Sequence, residues 1–277
     1  MHKQDVCPKF SILTPSFNQG QYISENIESV IAQNSNSFEH IIIDGGSCDQ
    51  TVEVLKQYPH LRWISEKDGG QADALNKGLA MATGDIVGWI NSDDYYFPSI
   101  FDDIARCFED PQVQWVIGNI TLMDEKNTEF VPLTSQAITT HSLFKNPDIV
   151  RQQSTFFRRD FLNRVGGWNA QYFMVMDFDL WVRLAKLSTP KMLSLQCAVF
   201  RVQENQKSGL KNISRQTKEF VHIMRRENVS RTNIFNLRFK KLTHLIRGHM
   251  KIYLIRLGFI SEKYRDMPVR GWDGGSQ

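Results

Sequence analysis

The stretch Asp85-Ile86-Val87-Gly88-Trp89-Ile90-Asn91-Ser92-Asp93-Asp94 joins an apolar run to two adjacent carboxylates. Residues 86–90 suit a buried parallel strand. In an open α/β sheet, ligands bind beyond the carboxyl ends of the strands. Neighbouring carboxylates repel, so such a pair is costly there without a cation or hydrogen-bond donors. A hard divalent cation carried in by a diphosphate would compensate it. The alternative is a solvated pair capping a helix that begins at Pro98, a residue suited to a first helical turn. Asp44 and Asp68 also fall at predicted strand ends, on the same edge of a parallel sheet. Each alone is commonly a helix cap; several at one edge favour a site.

The elements that must position these groups alternate. Strands are expected over 10–15, 40–44, 61–65 and 86–90. Apolar spacing predicts helices over about 23–31, 50–57 and 71–82. Asp49 suits the N-cap of the second helix, and Gly84 the end of the third. Strand–helix alternation of this kind implies a mostly parallel, doubly wound sheet. Further on, the pattern predicts helix 99–108, strand 114–118 and a hairpin over 120–132 turning near 124–127. It then predicts an irregular stretch 133–150, strand 154–157, helix 160–165, helix 177–187 and strand 191–202.

The 277 residues are 41% hydrophobic, enough for one large domain with a core. No apolar run of about 18 residues appears, and residues 1–8 lack the apolar centre of a signal peptide. Cys7, Cys48, Cys107 and Cys197 are scattered without metal-type spacing, which reads as reduced thiols of a cytosolic protein. The net charge of +3 hides an asymmetry. Residues 1–200 carry 16 Lys and Arg against 24 Asp and Glu, whereas residues 201–277 carry 17 against 6. An acidic body therefore bears a basic tail.

Several motifs, in order, resemble family 2 glycosyltransferases of the GT-A fold. They are Ser16-Phe17-Asn18, Ile43-Asp44-Gly45-Gly46-Ser47-Cys48-Asp49, Asp68-Gly69-Gly70-Gln71-Ala72-Asp73-Ala74-Leu75-Asn76-Lys77-Gly78, Ala82-Thr83-Gly84-Asp85 and Asn91-Ser92-Asp93-Asp94. The resemblance covers roughly residues 9–208. It implies an α/β GT-A domain over 1–208, followed by a basic helical extension over 209–277. It also implies an inverting transferase using a nucleotide-diphosphate sugar, foremost a UDP-sugar, with Mn2+ or Mg2+. By the same resemblance, Phe17 lies against the base, with Thr14, Pro15, Ser16 and Asn18 lining that pocket. Asp44 and Gly45 fall in the base and ribose region, where many members have a second carboxylate at the position of Gly45. Asp68, Gly70, Asp73, Asn76 and Ser92 fall on the nucleotide side. Lys77 either orients the diphosphate or is a solvated helix residue. The family's Asp-x-Asp motif reads Asn91-Ser92-Asp93 here, so Asp93 becomes the expected metal ligand and Asp94 a supporting one, with weaker metal binding than a full motif gives. The segment Asp177-Phe178-Asp179-Leu180-Trp181-Val182-Arg183 resembles the family's acidic motif ahead of Trp and Arg. By register it makes Asp177 the base that takes the acceptor's proton. Gln153, Trp168 and Trp181 fall on the acceptor side, which in this family is a glycan or a lipid-linked glycan.

In the tail, cationic and apolar residues alternate at helical spacing over 238–256. Such helices can lie on an anionic membrane surface, which fits a peripheral enzyme with a lipid-linked acceptor. They can equally pack on the acidic body or on a second subunit. No nucleic-acid recognition motif is present. Two other functions fit parts of the pattern. A sugar nucleotidyltransferase would want an arginine in the first loop, which residues 16–21 lack. A catalytically inactive sugar-nucleotide binding module would accommodate Asn91, and Gln203 where some members carry a histidine.

Overall fold

β1 (Phe10–Ser16) is buried along its whole length and lies between two parallel neighbours, β2 (Phe38–Asp44) and β4 (Ile86–Trp89). β3 (Arg62–Ser65) extends the parallel set beyond β2. The computed structural model describes residues 9–33, 37–124, 130–147, 149–203, 207, 212–236, 238, 239 and 243. Helices α1 (Ile23–Ile31), α2 (Thr51–Leu55) and α3 (Gln71–Met81) connect these strands, as the alternating pattern predicts. After β4 come β5 (Tyr95–Tyr96), α4 (Phe101–Cys107), β6 (Trp115–Asp124), β7 (Phe130–Leu133) and α5 (Thr140–Lys145). A single 3-10 turn, Gln152–Ser154, then leads into β8 (Thr155–Arg158), α6 (Arg159–Arg164), α7 (Met176–Ala185), β9 (Lys191–Val202) and α8 (Ile213–Arg226). The sheet runs β3-β2-β1-β4-β8-β6-β9-β5, with β7 against β6. β8 is antiparallel to both β4 and β6, and β5 is antiparallel to β9. The sheet is therefore mixed, parallel up to β4 and antiparallel at these pairings beyond it.

Three local expectations change. Pro98 does not open a helix, because Tyr95 and Tyr96 first pair with Val199 and Ala198, and α4 starts only at Phe101. Gly84 does not cap α3, whose last turn ends in an extended Ala82 (ψ 132°). A Cβ on Gly84 would stand 2.5 Å from the Lys9 carbonyl oxygen, so glycine is required for close approach to β1. The stretch expected to be irregular contains α5, started by a reciprocal Thr139–Ser142 capping box.

Two aromatic groups fill the interior. Phe10 stacks on Phe101 at 4.3 Å between ring centroids, with Phe156 and Tyr96 against them. Trp181 of α7 stacks on Trp115, Phe157 and Trp89, tying that helix to three strands. The chain divides into two compact units, residues 1–122 with 131–200, and residues 123–130 with 201–277. In the second unit α8 buries Phe220, Val221, Ile223 and Met224 and carries Arg225 and Arg226 in its last turn. Of the basic stretch 238–256, all but 238, 239 and 243 lies outside the described residues. No helix among the described residues is long and apolar enough to cross a membrane.

At the edge opposite the strand carboxyl ends, Glu39 is 7% exposed and anchors the segment that enters β4. It accepts hydrogen bonds from the Ser11 hydroxyl, the Thr83 N–H and hydroxyl, and Gly84 N–H, and pairs with Arg62. Burial alone would raise its pKa, but the bonds from Ser11, Thr83 and Arg62 outweigh burial and bring it from 4.5 down to about 2. A depressed carboxylate stabilises the fold fully above its unfolded value near 4.5. That contribution is lost as pH falls through about 2. Glu39→Gln is therefore expected to cost about 2–3 kcal/mol at pH 7. Urea denaturation at pH 7 and pH 3 checks this: the gap between variant and parent narrows at the lower pH.

Candidate active site

The carboxyl end of β4 is closed by one side chain, Asn91. Its Oδ1 accepts from the Trp89 indole at 3.0 Å and from the Gln71 amide at 2.7 Å. An indole N–H can only donate, so the Asn91 oxygen faces it and the amide nitrogen points the other way. That nitrogen donates to Gln152 Oε1 at 3.2 Å and, more weakly, to Asp94 Oδ2 at 3.4 Å. Gln152 in turn donates to the Trp89 carbonyl, and Gln153 donates to Asp94. Asn26 of α1 donates to the carbonyls of both Asn91 and Asp94. One amide thus joins β4, the start of α3 and the 3-10 turn ahead of β8. A carboxylate at position 91 would lose both donors and face Asp94.

This network sorts the predicted residues. Asp94 is 1% exposed and engaged by Gln153, Asn91 and, through its carbonyl, Asn26, so it supports the turn that carries Asp93. Gln153 is likewise buried and donates to Asp94. Ser92 is buried. Asp93 is half-buried at the rim.

In the region expected to hold the nucleotide, Phe17 stands out with 59% of its surface exposed. It rides on a turn in which Asn18 adopts φ 52°. The Asn18 N–H donates to the Ser47 hydroxyl and its side-chain oxygen accepts from Cys48 N–H, which binds the first loop to the second. Asp49 tightens the same junction by accepting from Gly20 and Thr51 N–H. Thr14, Pro15 and Ser16 are buried in β1. The Thr14 hydroxyl is taken up by His40 and Asn26. Asp44 is fully buried and accepts from Gly46 and Ser47 N–H and from the Ser47 and Ser65 hydroxyls. It shapes the loop, and no part of it is open to a base. The carboxylate that reaches this region is Asp68. Its Oδ2 lies 3.0 Å from where a Cβ on Gly45 would be, while its Oδ1 accepts from Gly70 N–H. Gly70, with φ 107°, starts α3 in a conformation that favours glycine. Asp73 holds Gly69 N–H and pairs with Lys77, which also meets Glu66, so Lys77 is engaged at the helix surface.

On the other side, α7 begins at Met176 with Val175 as its N-cap, so Asp177 is not the cap. Asp177 is half-buried. Trp181, one turn later on the same face, stacks on Trp89, which sets that face of α7 against the last residue of β4. Asp179 is fully buried and paired with Arg183 at 2.8 Å. Arg183 also donates to the carbonyls of Val165 and Gly167. Asn76 binds both backbone groups of Trp168, at 2.9 and 2.7 Å, so it ties α3 to this loop and leaves one amide N–H of this half-buried side chain for a further partner. Trp168 and Trp181 are each 1% exposed, Trp168 edge-on and Trp181 stacked against Trp89, and offer no face to a sugar. The exposed aromatic here is Phe173, which the sequence reading passed over.

Residues 11–166 match the model of glycosyl transferase family 2, more than half of the chain. The chain is a family 2 glycosyltransferase. A PGL/p-HBAD biosynthesis glycosyltransferase of Mycobacterium tuberculosis is 28% identical over 216 residues, covering 75% of this chain and 80% of that protein. An uncharacterised glycosyltransferase of Rickettsia felis is 25% identical over 195 residues, 66% of this chain but only 32% of that protein. The fold is shared with S. aureus TarS 1-349 in complex with UDP-GlcNAc (TM-score 0.60, 17% identity, 92% of this chain and 77% of that one). It is also shared with the mannosyltransferase PcManGT of Pyrobaculum calidifontis in complex with GDP-Man and Mn2+ (TM-score 0.61, 16% identity, 97% and 84%). The GT-A expectation from the motifs is met.

Among the described residues, no three or more His, Cys, Asp or Glu side chains are grouped to hold an ion. Mg2+ commonly takes one or two protein carboxylates and completes its shell with phosphate and water. Asp93 at the rim suits a cation that arrives on a diphosphate; a closed protein cage is absent among the described residues. The same geometry explains Asn91, because its four side-chain bonds need an amide. Asn91→Asp is expected to lower stability by about 1–3 kcal/mol without creating tighter Mn2+ binding. Thermal denaturation with and without Mn2+ checks both parts.

Proposed function

We propose that the enzyme transfers a sugar, with inversion, from a nucleotide-diphosphate sugar to a glycan or lipid-linked glycan. The observation that carries this reading is the division between buried and exposed groups at the strand ends and the start of α7. Asp44, Asp94 and Asp179 are buried and engaged, while Phe17, Asp68, Asp93 and Asp177 retain exposed surface. The exposed ring of Phe17 suits stacking on a base, and a stacked ring accepts any base. The complexes of fold relatives with UDP-GlcNAc and with GDP-Man and Mn2+ support this donor class. We take a UDP-sugar as the first donor to test.

In this reading Asp177 accepts the proton of the acceptor hydroxyl as its oxygen attacks the anomeric carbon. The bond from that carbon to the diphosphate oxygen breaks, and the nucleoside diphosphate leaves from the opposite face. One base suffices for an inverting transfer. Asp179 does not compete for the role, because Arg183 holds it. Asp93 is the residue that would hold a divalent cation, which would supply charge stabilisation to the departing diphosphate. The extension over 209–277, with its excess of Lys and Arg, would bring the enzyme to an anionic membrane surface and so to a lipid-linked acceptor.

Titration calorimetry with UDP, GDP, dTDP and CMP, each with and without Mn2+, tests the donor site. Binding of one nucleoside diphosphate is expected, and binding of none would overturn the reading. Phe17→Ala is expected to weaken that affinity by roughly 5- to 150-fold, the equivalent of about 1–3 kcal/mol for one base stack. Asp177→Asn should keep nucleotide affinity within about twofold and lose sugar transfer by at least 100-fold, read as nucleotide release in the presence of acceptor.

A further inference from the structure

Residues 169–175 link the Trp168 loop to α7. Tyr172 turns inward and is 2% exposed, whereas the next residue, Phe173, turns outward and is 38% exposed. A lone exposed phenylalanine is ordinary, but this one is held at both ends. Its ring atoms Cδ2 and Cε2 lie 3.6 Å from the place a Cβ on Gly70 would occupy, so the ring lies across the start of α3. Its backbone enters α7 three residues later, and Asp177 follows at once. Phe173 therefore spans from the glycine turn beside Asp68 to the helix that carries the assigned base. The two tryptophans expected to meet an acceptor are buried, which leaves Phe173 as the exposed aromatic of this loop.

We infer that Phe173 is the acceptor-selecting residue and that the acceptor it selects presents a sugar ring. This rests on the assignment of Asp177 as base. An aromatic face carries partial negative charge, and the polarised C–H face of a pyranose is complementary to it. A sugar ring offers that face and a hydroxyl at once, so it can lie on Phe173 while its hydroxyl reaches Asp177. Water and glycerol reach Asp177 without using Phe173. The residue thus favours transfer to a ring over transfer to solvent.

The test uses the full chain and the sugar nucleotide whose nucleotide binds best in calorimetry. Nucleotide release is measured with no acceptor, with glycerol, and with a panel of methyl glycosides. The parent enzyme is expected to prefer at least one methyl glycoside to glycerol. Phe173→Ala should lower kcat/KM for that glycoside by tenfold or more through KM, with hydrolysis, the glycerol rate and nucleotide affinity unchanged within twofold. Phe173→Trp should restore the glycoside rate and Phe173→Leu should not. Three results would overturn the inference: an equal fall in hydrolysis and glycoside transfer, which would make Phe173 a prop for the Gly70 turn; full rescue by leucine; or a parent enzyme that hydrolyses donor but treats glycosides and glycerol alike. A parent enzyme that releases nucleotide from no donor would instead remove the functional reading on which the inference stands.

Discussion

The site depends on a single saturated amide. Asn91 ends β4 with its oxygen between Trp89 and Gln71 and its nitrogen between Gln152 and Asp94. A polar group withdrawn from water is tolerated when its hydrogen-bonding capacity is met, and that of the half-buried Asn91 is met by groups from three separate segments. The start of α3, the end of β4 and the turn before β8 are thereby held in one arrangement. Asp93 owes its place at the rim to this turn. Two of the side chains flanking Asn91, Gln152 and Asp94, bring acceptor atoms to it, so an amide satisfies the position and a carboxylate would not.

A second division of labour follows from burial. Acidic residues recur along this chain, yet they do two different jobs. Asp44 and Glu39 are buried and surrounded by donors, and each fixes the backbone around it. Asp179 does the same through Arg183, which gathers the carbonyls of Val165 and Gly167. Asp68, Asp93 and Asp177 sit at partly open positions. Asp44 fixes the loop after β2, Glu39 the segment entering β4, and Asp179, through Arg183, the loop before Trp168. The aromatic residues divide similarly. Trp168 and Trp181 pack α7 and its preceding loop against Trp89, and Phe17 and Phe173 remain at the surface.

Most of the parallel half of the fold was legible in the sequence. β1, β2, β4, α1 and α3 each follow from an apolar period, and the motifs at their ends identified the family correctly. The antiparallel half was harder to read. β5 is two residues long and exists through pairing with Val199 and Ala198, about a hundred residues away. Gly84 looked like a helix cap because glycine commonly is one, but its reason is contact with the Lys9 carbonyl across the sheet. α5 was missed although its Thr139–Ser142 box was there to be found.

The sequence by itself determined which residue types stand at the strand ends, that an amide, Asn91, stands two positions before Asp93, and that the basic charge gathers after residue 200. These are properties of composition and order, and no partner is needed to read them. The tertiary structure decided which of those residues are spent. It placed Asp94, Gln153, Trp168 and Trp181 in buried contacts, tied Asn76 to the Trp168 backbone, and left Phe173 over Gly70. Such assignments depend on neighbours distant in the chain, whose hydrogen bonds and packing decide whether a polar or aromatic side chain faces the interior or a ligand. Local pattern reports the period of a strand or helix; it carries no record of what stands across from it.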